Sequence, residues 1–145
     1  MQANFKMTGH VVAELVGADG VVKQRIEGPN MVVTAGKNWT ASRMTAATAG
    51  VMSHMAIGSS NTAESAGQTA LVAQTAIVAL TSANAVGNQI TYVATFGAGV
   101  GTGTVAEAGI FNAASAGTML ARTISVTMTK GATDTLTITW VVTAG

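Results

Sequence analysis

From Thr135 to Val142 the chain alternates without a break: Leu136, Ile138, Trp140 and Val142 take one parity, Thr135, Thr137, Thr139 and Val141 the other. Successive side chains of a strand point to opposite faces, so this is the pattern of a half-buried antiparallel strand. The same rule recurs along the chain. In Gln89–Phe96 it sets Ile90, Tyr92, Ala94 and Phe96 on one face. His10–Val16 and Val21–Ile26 flank Gly17-Ala18-Asp19-Gly20, and an Asp-Gly turn between two β-rich runs predicts a hairpin. Met52–Ile57 reads as a strand ending in the turn cluster Gly58–Thr62, and the branched residues of Ile77–Leu80 favour a strand as well. Residues 66–74 fit a short helix or a loop. After a turn spaced by Gly97, Gly99, Gly101 and Gly103, Thr104–Phe111 and Thr118–Thr127 supply two further strands.

One segment breaks the β pattern. Pro29 interrupts the chain before Asn30-Met31-Val32-Val33, and Thr34 offers a hydroxyl as N-cap for a helix from Ala35 to Ala46. Ala35, Trp39, Ser42 and Ala46 then share a face, with Trp39 as the anchor to the core. The expected fold is therefore mainly β: an antiparallel β-sandwich or flattened barrel with one short helix near residues 35–46. It forms a single domain over residues 1–145, with residues 1–30 as an N-terminal hairpin or arm.

Charge narrows the function. A typical chain of 145 residues carries roughly 36 charged side chains; this one carries seven Lys and Arg and six Asp and Glu, for a net charge of +1. No clustered basic footprint is available, so nucleic acid is not an expected partner. Mean hydropathy is +0.43, yet the tightest aliphatic run, Ala76–Leu80, is far short of the roughly 20 residues of a spanning helix, and no membrane insertion is expected. Met1–Lys6 lacks the apolar stretch of a signal peptide. From Ser65 to Ala106, 42 consecutive residues contain no Asp, Glu, Lys, Arg or His. Sheet edges are normally guarded by charge, Lys above all. Such a stretch predicts a surface covered by neighbouring copies, in a trimer or higher ring whose contacts are apolar and hydroxyl-mediated.

Candidates for chemistry are few. With no cysteine, disulfides, thiolate metal sites and cysteine nucleophiles are all excluded. A serine triad would need His10 or His54 beside Asp19 or Asp134, and no nucleophile-elbow pattern supports one. His54 reads as a core or interface residue. Two histidines 44 positions apart are no zinc signature, and the glycines at every second position from Gly97 do not form a phosphate-binding fingerprint. Glu64 and Glu107 would make a glycosidase pair only by coincidence, and Asn38-Trp39-Thr40 fits a glycosylation sequon of a kind common by chance. No catalytic, cofactor-binding or metal-binding residue is assigned, no cofactor is expected, and the chain is read as non-enzymatic. Glu107 and Arg122, the only charges between Ser65 and Lys130, are expected to pair across two strands as an exposed bridge worth roughly 0.2–1 kcal/mol.

The run Thr104-Val105-Ala106-Glu107-Ala108-Gly109-Ile110-Phe111-Asn112-Ala113, followed by Gly117-Thr118-Met119-Leu120-Ala121-Arg122-Thr123, resembles a motif of small virion structural proteins of tailed bacteriophages. In these a Glu-x-Gly-hydrophobic-aromatic-Asn/Asp strand precedes a turn, a Leu-Ala strand, a Lys-containing turn and a last strand. Lys130 to Trp140 looks like that ending, and Asn30–Gly36 and Met55–Ser60 are similar to further landmarks. The resemblance implies a tail-fibre or tail-collar-like β module in the virion. Its partners would be copies of itself and other phage proteins of capsid or tail. Because no fibre shaft or tip follows the module, a freestanding accessory such as a capsid decoration is expected as readily as a fibre attachment. A receptor-binding module for a host-surface glycan is the alternative.

Overall fold

The Asp-Gly hairpin forms where the sequence places it. In the computed structural model, which describes residues 6–45 and 50–145, β1 (Met7–Val16) turns into β2 (Val22–Pro29). Gly20 takes a φ of +80°, and the Asp19 carboxylate accepts the Val21 N–H at 3.0 Å. Pro29 ends β2, and the chain crosses to a second sheet as β3 (Met31–Val32) before α1 (Thr34–Ser42). The order continues with β4 (His54–Gly58), β5 (Gln74–Ala79), β6 (Ser82–Val86), β7 (Gln89–Phe96), β8 (Gly103–Val105), β9 (Glu107–Phe111), β10 (Met119–Thr123), β11 (Met128–Lys130) and β12 (Thr135–Ala144).

Two five-stranded antiparallel sheets result, ordered β2-β1-β12-β7-β6 and β3-β10-β9-β4-β5, with β11 and β8 as a small separate ribbon. The mainly-β, sandwich-like architecture with one short helix is as expected. β1 lies between β2 and β12, with Met7 opposite Ala144 and Val16 opposite Thr135. Between the sheets Val11, Tyr92, Phe96, Ile138 and Trp140 meet Met55, Ile57, Ile110 and Leu120. The alternation of β12 is realised residue by residue: Leu136, Ile138, Trp140 and Val142 are fully buried, and their neighbours of opposite parity are not.

The second sheet departs from that two-faced pattern. Every residue of β9 and β10 is buried, because α1 and the loop between β4 and β5 cover the outer face. Val33, Ala56, Leu71, Phe111 and Met119 form a second apolar layer there. The helix lies close because Gly36 has no side chain; a Cβ there would sit 2.1 Å from the Leu120 carbonyl oxygen.

Several expectations need correction. Thr34 is the first residue of α1 rather than its cap; Val33 holds the cap position with no side-chain hydrogen bond, and the Thr34 N–H instead bonds the Ala66 carbonyl in the covering loop. The helix ends at Ser42, and Ala46 lies outside the described residues. Trp39 is only half-buried against the core; its Nε1 donates to the Gly50 carbonyl at 3.0 Å, and the Arg43 guanidinium sits over its ring. The expected strand Thr104–Phe111 is split at Ala106, since β8 pairs with β11 whereas β9 joins the second sheet. The Thr118–Thr127 strand stops at Thr123; of the two readings offered for residues 66–74 the loop is the one realised, over residues 66–73, with Gln74 opening β5.

Candidate assembly surface

The motif residues prove to be fasteners. Glu107 and Arg122 are both fully buried, with Arg122 Nε 3.0 Å from Glu107 Oε1, so the expected exposed bridge is corrected to an interior one. They are not directly opposite: Arg122 faces Gly109 across the strands, and Glu107 faces Gly58. Glu107 also accepts the backbone N–H groups of Ser60, Val72 and Ala73. Arg122 donates onward to the Thr62 carbonyl, the Gln68 side chain and the Ser60 carbonyl. Together they tie both ends of the covering loop to β9 and β10. Asn112 closes the β9–β10 turn by accepting the Thr118 N–H at 2.7 Å.

Lys130 and Asp134 fasten a second set of turns, around β11 and the start of β12. Lys130 is fully buried and donates to the Gly97 carbonyl at 2.8 Å, holding the glycine-spaced turn. Burial pulls its ammonium below the usual lysine range, partly offset by Asp134. Asp134 accepts two hydrogen bonds from Lys23 and one from the Gly131 N–H. The Lys23 bond, followed by the Gly131 bond, holds its carboxyl below the ordinary range. A carboxylate whose pKa falls on folding stabilises fully above its unfolded value, about 3.9, and loses that contribution as pH drops through the lowered value. The melting midpoint should therefore fall as pH drops from about 4. Asp134→Asn should start lower at neutral pH and lose less on acidification, as thermal melts across that window would show.

No catalytic constellation assembles from the residues considered. The His10 ring lies 3.7 Å from Glu27 on the outside of the first sheet. The Ser53 hydroxyl meets His54 Nδ1 at 2.8 Å, but Asp19 and Asp134 are occupied beside the β1–β2 turn. Glu64 and Glu107 do share the Arg122 charge. Burial raises the Glu64 carboxyl against that charge and a Met31 N–H bond, while Glu107, bonded by three amides and a guanidinium, has no free lone-pair direction for proton transfer. Among the described residues no three His, Asp or Glu side chains gather as a metal site.

What remains is surface, and it is asymmetric. On the outer face of the first sheet, β1 and β2 carry His10, Glu14, Arg25 and Glu27, with Arg25 and Glu27 paired at 3.2 Å. Across β12 and β7 the same face becomes Thr135, Thr137, Thr139 and Val141 beside Thr91, Val93 and Thr95, with Thr95 and Thr137 hydroxyls 3.3 Å apart. Beyond them, Ala83 to Val86 of β6 are all exposed, Val86 to 79 %. The uncharged stretch thus supplies one whole flank: the edge strand of each sheet, joined by Leu80 and Thr81. The period-two signal exposed the face; β6, in Ser-Ala-Asn-Ala-Val, has too little apolar contrast to be read as a strand beforehand. Compared with known proteins, the chain matches no family model, and no significant match is found among curated proteins or solved structures.

Proposed function

We propose that this chain is a non-enzymatic structural protein of a tailed-phage particle, acting as a symmetric oligomer on the virion in tail-fibre or collar attachment or in capsid decoration. The observation that carries the assembly half of this reading is the uncharged flank: 42 residues without a charge, with two sheet edges and part of an open hydroxyl-rich face. Closed symmetry is the ordinary way to bury such a surface. The virion half rests on the resemblance, whose Glu107, Asn112, Arg122 and Lys130 all serve to hold loops on the sandwich. The glycan-binding alternative asks for exposed rings, whereas among the described residues Tyr92, Phe96, Phe111 and Trp140 are buried and Trp39 is half-buried.

Light scattering on the purified protein should give a discrete mass above the 14.4 kDa chain. That mass should survive a rise from low to near-molar salt, since screening weakens only charge contacts. A monomer at high concentration with no affinity for phage capsids or tails would remove the proposal.

A further inference from the structure

Four edges flank the two main sheets, and three are guarded. The β2 edge carries Lys23, Arg25 and Glu27 and has a bulge, since Leu15 pairs with Gln24 and Val16 with Val22. The β3 edge is two residues long. The β5 edge is bulged at Thr75, with Ile57 opposite Ala76 and Gly58 opposite Gln74. Charges, bulges and brevity are the usual devices that keep an edge from pairing with another chain.

The β6 edge has none of them. Its register with β7 runs unbroken from Ser82 opposite Val93 to Val86 opposite Gln89, and neither charge nor proline interrupts Ser82–Val86. Its residues from Ala83 onward are exposed, so within one chain it is held by its ladder to β7 and little else. An edge strand with so little burial gains from a partner on its free side. The strand is also compatible with itself. Laid antiparallel about a twofold axis at Asn84, two copies set Asn84 opposite Asn84 and Ala83 opposite Ala85. No like charges meet, and the side chains flanking the axis are small.

We propose that two copies of this chain join edge to edge through β6, antiparallel about Asn84, so that their first sheets continue as one ten-stranded sheet. The inference rests on the oligomeric reading above and specifies its joint. An isologous contact of this kind builds dimers or assemblies of even number, in place of the trimer or higher ring expected from the sequence.

Light scattering on wild type should give twice the chain mass at micromolar concentration. Asn84→Lys sets two ammonium groups directly opposite each other, which disfavours a cross-strand pair, and should run at the monomer mass, still melting cooperatively but at a lower, concentration-independent midpoint because the stabilisation by the partner is lost. Asn84→Asp should do the same, whereas an equimolar mixture of the two variants should recover the dimer. Asn84→Ala should remain dimeric. If wild type is oligomeric and Asn84→Lys leaves its mass unchanged, the β6 joint is wrong while the assembly reading stands. Failure of the Lys and Asp variants to complement each other overturns the twofold placement at Asn84. A monomeric wild type overturns the β6 joint, even if β6 then captures a strand of another protein, and a monomer that also has no affinity for phage capsids or tails overturns the assembly reading with it.

Discussion

Arg122→Ala should destabilise the protein by about 3–5 kcal/mol, the loss expected when one partner of a buried ion pair is removed and the other stays behind. Glu107 would then keep three backbone donors but no countercharge, in a site with no exposure. A domain is stable by only about 5–15 kcal/mol, so the variant should unfold at far lower urea. Arg122→Lys should recover little, because an ammonium does not reproduce the planar fork that reaches Glu107, Gln68 and two carbonyls at once. In a double-mutant cycle with Glu107→Gln, the coupling should exceed about 1 kcal/mol, above the range of exposed pairs. Coupling within that range would mean the pair is solvated in solution.

Trp140→Ala should cost about 3–5 kcal/mol, the penalty for emptying a large core site. Trp140 is fully buried in the centre of β12, with Val11 and Tyr92 opposite it on the neighbouring strands. Its Nε1 finds no acceptor among the described residues, and a buried donor without a partner is itself a cost. Trp140→Phe should therefore lose clearly less than the alanine variant, since it keeps most of the ring volume and removes the stranded N–H. Thr139→Ser, on the outer face, should move the urea midpoint little. If Trp140→Ala unfolds at the wild-type midpoint, the strand does not face the core.

What could be read beforehand follows from the kind of burial each strand undergoes. β7 and β12 are buried on one face, so Tyr92 and Thr91, or Trp140 and Thr139, differ enough in polarity to reveal both strand and phase. In β9 and β10 that contrast vanishes because α1 and the covering loop close the outer face, and Ala108, Gly109 and Ala121 carry no period. The break at Ala106 is a change of sheet, which no local propensity records. The Glu107–Arg122 pair was visible as the two isolated charges of a long segment. Its burial was not, because it depends on Ser60, Val72 and Ala73, distant in sequence, delivering their N–H groups to one carboxylate. Thr34 falls one residue too late to cap: the Val33 carbonyl already accepts the first intrahelical bond, from Lys37, and Thr34 is itself helical, a one-residue shift of the boundary that the local sequence does not record.

The pairing of β1 with β12 fixes when this protein can fold during synthesis. Residues 7–16 find their β12 neighbours only at residues 135–144, and β7 waits for the same strand. The covering loop, made early, has its fasteners at positions 107 and 122. Until β12 has left the ribosome, the first sheet lacks its middle and consists of two separate hairpins, β1–β2 and β6–β7. Topologies dominated by such distant contacts fold slowly, and chains awaiting their last strand expose apolar edges that invite misassembly. The unguarded Ser82–Val86 segment is then at its most accessible, so growth temperature and expression rate should govern the soluble yield more strongly than the stability of the finished fold does.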